Sequence, residues 1–176
     1  MEPPPSGQDN HHAPPPGQHH KNVPCDSDII VQDRRWHAAV PRLEMQVRRA
    51  ITLSAWMTHR PYHPTVLLTN DRAVKTLNAL YRGRNKPTNV LTFEASGPFG
   101  DGDIALAFET IRREASSSDK SFTAHMLHLL VHGILHLAGH DHLYAGEARR
   151  MEQAEARILA RLGVANPWRV SERGWR

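Results

Sequence analysis

At 176 residues, with a net charge of +4 and a pI near 9.6, the chain has room for one domain and a tail, and its charge tolerates nucleic acid as a partner without establishing it. A single cysteine, Cys25, excludes an intramolecular disulfide and a cysteine-built zinc site, gives no reason to expect a disulfide-linked partner, and fits a reducing cytoplasm. No apolar run approaches the ~20 residues that cross a membrane, and the N-terminus lacks the basic start and apolar stretch of a secretory signal, so a cytoplasmic chain with no membrane partner is expected.

Residues 1–24 are rich in Pro, His and Gly, with Pro3, Pro4, Pro5 and Pro14, Pro15, Pro16. Such a segment buries too little apolar surface to offset its ordering entropy, and it reads as a disordered extension. Its histidines (His11, His12, His19, His20) are more simply part of that extension than a metal site. Residues 25–168 then form the expected folded domain, and 169–176 a short basic tail.

Ile29, Ile30 and Val31 suggest a first strand. From 41 to about 58, apolar residues recur at helical spacing, with Pro41 at the helix start. Residues 64–69 (PTVLLT) read as a second strand, and Asn70 or Asp71 caps a helix running to about 81. A polar connection over 83–88 leads to a third strand at 90–93, a glycine-marked turn at 97–102 and a fourth strand at 104–108, neighbour of the third. Helices are expected over about 121–137 and about 145–162, the latter with Glu147 in its first turn and Gly163 at its end. The expected class is α+β: a small mixed four-stranded sheet packed with about four to five helices in one domain.

The most informative stretch is HGILHLAGHDH at 132–142. His132 and His136, four residues apart, share one face of a helix and can point at one ion. Gly139 can end the helix in a left-handed turn and bring His142 round as a third ligand, which puts the metal site on a helix and the turn after it. Three imidazoles with an open position is the arrangement of a catalytic zinc rather than a closed structural one. Zinc peptidases with H-E-x-x-H-x-x-G-x-x-H share the spacing, but their general base is Glu where this chain has Gly133. His125 and His128 extend the stripe on the same helix, as groups that meet the ligands or substrate, or as partly buried polar residues bonded to backbone or water. Arg82, Arg84 and Lys86 form a basic cluster between a helix and a strand, suited to phosphate.

Taken together, HGILHLAGHDH, LNALYRGRNKPTNVLTF (77–93), GDIAL (102–106) and GEARRMEQAEARILARLG (146–163) resemble the bacterial YbeY-type ribosomal RNA maturation endoribonucleases over about residues 65–168. The resemblance implies a single-strand-specific, zinc-dependent endoribonuclease with one ion per chain. It would act in ribosomal RNA processing, late small-subunit 3′-end maturation and ribosome quality control, with ribosomal RNA and the small subunit and its proteins as partners. It assigns the metal to His132, His136 and His142, and a role in activity to Arg82. The chain departs from the family's usual residues at Asn89 (Asp), Thr92 (Ser) and His140 (often Tyr), and the proline-rich extension lies outside the match.

On this reading a zinc ion supplies an activated water for attack on a phosphodiester, unless the ribose 2′-oxygen attacks instead. Arg82 offsets the charge developing on the phosphoryl oxygens, while Arg84 and Lys86 hold the backbone. With glycine at 133, proton transfer falls to the zinc-bound water itself, to Asp141 or to His128, Asp141 being better suited to orienting a ligand or forming the turn. Two rival readings are a metal-dependent hydrolase of another substrate class, and a non-catalytic zinc-containing ribosome-assembly factor.

Overall fold

The computed structural model describes residues 27–95, 101–140 and 145–168. The N-terminal extension at 1–24, the basic tail at 169–176, most of the turn at 97–102, and the candidate residues Asp141 and His142 lie outside the described residues.

The elements run β1 (Ile29–Val31), α1 (Arg35–Ala39), α2 (Leu43–Thr58), β2 (Thr65–Thr69), α3 (Asp71–Arg82), β3 (Val90–Phe93), β4 (Asp103–Ala107), α4 (Phe108–Ser117), α5 (Phe122–Leu137) and α6 (Ala145–Leu162). The four strands form one mixed sheet in the order β1-β2-β4-β3. β1, β2 and β4 run parallel, and β3 lies antiparallel to β4 at the edge, with Thr92 opposite Ile104. The domain is α+β with a four-stranded mixed sheet, as the sequence predicts.

Side chains alternate across a strand, so each strand feeds two layers. Val66 and Leu68 of β2 and Ile104 and Leu106 of β4 enter the main core with α2, α5 and α6. Leu67, Ala105 and Ala107 face the other way, where α3 packs through Val74 and Leu77. α3 covers only part of that second face. Ile30, in register with Leu67, remains half exposed.

Asn70 caps α3 as expected, its Oδ1 accepting from Ala73 N–H at 3.0 Å. Helices α1 and α4 were not apparent in the sequence pattern, and the fourth strand stops at Ala107 because Phe108 opens α4. The N-cap of α4, Ala107, has no capping side chain. Asp71 of α3 does that work across space: its carboxylate accepts from Thr110 N–H and from the Thr110 hydroxyl, at 2.9 and 3.0 Å. Glu109 returns the favour by accepting from Asp71 N–H at 2.8 Å. Two helix starts thus satisfy each other's free N–H groups. No helix among the described residues is long and apolar enough to cross a membrane.

Candidate functional site

α5 is buried on most of its circumference, with Met126, Leu130, Val131, Ile134 and Leu135 fully inside. A helix apolar nearly all round belongs at the centre of a domain, and α5 holds that place between the sheet, α2, α4 and α6. Ser121 caps its start by accepting from Ala124 N–H at 3.1 Å. Its end is a Schellman turn: Gly139 has φ +81°, Gly139 N–H donates to His136 O at 2.9 Å, and His140 N–H donates to Leu135 O at 3.0 Å. The expected left-handed turn is therefore present directly after the last histidine of the helix.

Gly133 explains how close α5 lies to the sheet. A Cβ there would stand 3.1 Å from Thr92 Cγ2 and 3.3 Å from Ile104 Cγ2. Both neighbours are β-branched and fixed on paired strands. The position at which a peptidase of this spacing carries its glutamate here lies close against the sheet.

Within the histidine stripe, His132 and His136 converge, their Nε2 atoms 3.0 Å apart. Tetrahedral ligands at ~2.05 Å from one zinc keep their nitrogens ~3.3 Å apart, so this pair fits one ion with small adjustment. Behind it stands Glu155 of α6, with no exposed surface. His132 Nδ1–H donates to Glu155 Oε1 at 2.6 Å, which leaves Nε2 with its lone pair toward His136. Glu155 Oε2 accepts from Trp168 Nε1–H at 2.9 Å and lies 3.4 Å from His128 Nε2. Burial pushes the Glu155 carboxyl up, but hydrogen bonds from His128 and His132 outweigh it and hold the group at about 2. A buried carboxylate behind an imidazole is a common means of orienting a metal ligand. Sequence reasoning missed Glu155. Its signal was a lone acid inside the apolar stripe of α6, four residues after Met151 and three before Ile158.

The other two stripe histidines are also bonded to carboxylates. His125, buried, meets Glu114 of α4 at 2.8 Å, and Glu114 also accepts from Asn89 Nδ2 at 3.0 Å. His128 sits against Glu155, with its ring 5.8 Å from that of Trp168. Among the described residues no group of three or more His, Cys, Asp or Glu is placed to hold a metal, the third ligand expected from sequence being His142.

Arg82 ends α3 and donates from Nη2 to Thr92 O at 2.9 Å, which lays its guanidinium along β3. Arg82 and His136 line one cleft of about 1000 Å³ that reaches from the open face of the sheet to the last turn of α5, where His140 also contributes. Residues 54 positions apart in sequence, both singled out by their motifs, thus share one concavity. A second hollow of about 300 Å³ adjoins Arg82 and is lined by Arg84, Lys86 and Asn89. The buried Asn78 steadies that loop by donating to Lys86 O at 2.7 Å.

A sequence profile described as Endoribonuclease YbeY matches residues 29–163. The chain is 52% identical over 148 residues to an endoribonuclease YbeY of Gluconobacter oxydans, covering 81% of this chain and 88% of that one. It is 42% identical over 160 residues to an endoribonuclease YbeY of Nitrobacter winogradskyi, covering 84% of each. Its fold is similar to the solution structure of a Thermotoga maritima protein, with a TM-score of 0.54 at 22% identity over 84% of this chain and 99% of the other. By the extent of the profile match and the identity to these relatives, the chain belongs to the YbeY endoribonuclease family.

Proposed function

We propose that this protein is a single-strand-specific, metal-dependent endoribonuclease of ribosomal RNA processing, acting in late small-subunit 3′-end maturation and in ribosome quality control. The relatives' shared description as endoribonucleases supports RNA as substrate. The single structural observation that carries the reading is the common cleft of Arg82 and His136, which puts a guanidinium suited to phosphate in the same concavity as one of the paired imidazoles. The cofactor is one zinc ion per chain, held by His132 and His136 with His142 as third ligand. When bound, such an ion supplies a Lewis acid and an activated water.

The chain's own residues do the rest. His132 and His136 would offer their Nε2 atoms to the ion, and Glu155 holds the proton of His132 at Nδ1 so that the tautomer of His132 is fixed. Arg82 meets the negative charge that develops on the phosphoryl oxygens, and its anchor on Thr92 O fixes where that charge must lie. Arg84 and Lys86 hold the neighbouring backbone. His128 serves this centre by sharing the Glu155 carboxylate with His132. For Asp141 and His142 the assignment rests on the sequence motif alone, an orienting carboxylate beside the third ligand. The partners are ribosomal RNA and the small subunit with its proteins, in the cytoplasm. A peptidase reading lacks a base, since residue 133 is glycine, packed closely against Thr92 and Ile104.

The test is cleavage of a single-stranded and a duplex ribosomal RNA fragment by wild type and Arg82→Glu. Wild type should cut the single strand, and the variant should lose about 100-fold or more while keeping its metal. Equal cleavage by both proteins removes Arg82 from the mechanism. No RNA cleavage by zinc-loaded wild type, even with small subunits supplied, points to an assembly factor.

A further inference from the structure

Tyr81, on α3 one residue before Arg82, is 65% exposed, although a large aromatic ring gains most from burial. Its ring lies 5.0 Å from that of Phe93 at an interplanar angle of 65°, so Phe93 braces its edge. Both rings line the large cleft together with Arg82 and His136, over an apolar floor that includes Leu67 and Leu77. Arg82 also lines the smaller polar hollow, with Arg84 and Lys86 in its wall. The surface therefore alternates: an aromatic hollow, a guanidinium shared by both cavities, then a basic hollow. A single-stranded polynucleotide alternates in the same way, with flat apolar bases joined through anionic phosphates. The basic residues at the division favour an anionic chain over a neutral peptide. Glu94 and Asp103 in the cleft wall are acceptors for an N–H of a base, such as the N3–H of uracil.

We propose that Tyr81, braced by Phe93, is a stacking platform for one unpaired base of the RNA, beside the phosphate held at Arg82. This rests on the endoribonuclease reading and gives single-strand selectivity a physical cause. In a duplex both faces of a base are covered by its neighbours, so only an unpaired base can offer a face to Tyr81. Tyr81 is then a specificity residue, and it leaves the metal centre untouched.

The experiment compares binding of a fluorescent oligouridylate with that of an abasic ribose-phosphate oligomer of equal length, for wild type, Tyr81→Ala and Tyr81→Phe. Cleavage of the oligouridylate is followed in parallel. Tyr81 is exposed and alanine favours helix, so the variant keeps its fold. Wild type and Tyr81→Phe should bind the base-bearing strand about tenfold more tightly than the abasic one. Tyr81→Ala should lose that preference while binding the abasic strand as wild type does. A Tyr81→Ala protein that keeps the preference overturns the platform alone and leaves the groove to a protein partner. A wild type that neither binds nor cuts RNA overturns the endoribonuclease reading and the platform with it.

Discussion

His132 Nδ1 and Glu155 Oε1 lie 2.6 Å apart, joining the middle of α5 to the middle of α6 through a carboxylate with no exposed surface. The pair ties the fold to the proposed chemistry, because the same hydrogen bond that packs two helices also sets which nitrogen of His132 is turned toward His136. Replacing Glu155 by Gln keeps the shape and removes the charge. Zinc affinity should fall about 10- to 100-fold, the usual cost of losing a partner behind a ligand. Competition with a chromophoric chelator reads this directly, and unchanged affinity would show that Glu155 serves packing only.

Gly133 makes a separate prediction about stability. Gly133→Glu puts a Cβ 3.1 Å from Thr92 Cγ2 and 3.3 Å from Ile104 Cγ2, so both β-branched neighbours must give way by a few tenths of an ångström. The variant should be destabilised by about 3 kcal/mol, typical of overpacking, and should gain no peptidase activity. A urea midpoint equal to that of wild type would mean that α5 can withdraw from the sheet at little cost.

Acid should weaken the contact between α1 and the paired starts of α3 and α4. Arg35 bonds to Asp33 and to Glu109. For Glu109, burial pushes the carboxyl up, but hydrogen bonds from Arg35 and from Asp71 N–H outweigh it and bring it below its usual range. The Asp33 carboxyl is lowered chiefly by its hydrogen bond to Arg35. Folded groups with lowered pKa bind fewer protons than unfolded ones, so their stabilising effect is full above the usual carboxylate range and is lost as pH falls through and below it. Arg35→Met should therefore flatten the loss of stability between about pH 5 and pH 3. Parallel acid limbs for wild type and variant would rule out this contribution.

Arg84 and Lys86 should show themselves in salt dependence. If each contacts one phosphate of single-stranded RNA, removing both in an Arg84→Gln, Lys86→Gln variant lowers the slope of log affinity against log salt by about 1.4. A slope unchanged by the double variant places the RNA backbone elsewhere.

Much of the architecture could be read from local pattern. Asn70 caps α3 as its residue type suggests, α5 starts at the expected Ser121, and the β-rich composition of PTVLLT gives β2. What escaped was what the chain supplies from a distance. α4 starts without a local cap, because Asp71, 39 positions away from Thr110, provides one. α1 is five residues long and is held by the burial of Trp36, whose indole N–H donates to Thr69 O at 3.0 Å. In the candidate site, the i and i+4 spacing was enough to place His132 and His136 together, and Gly139 marked the turn. Glu155 and Glu114, which hold the histidine stripe in place, come from other helices, and no spacing within the motif could point to them.

The central claim is that the paired imidazoles hold a metal on which RNA cleavage depends. The most direct measurement is metal content together with cleavage of a small-subunit ribosomal RNA precursor, on wild type and His136→Ala side by side. Wild type should carry about one zinc per chain, with zinc and cleavage lost together in the variant. Full cleavage by metal-free protein would contradict it.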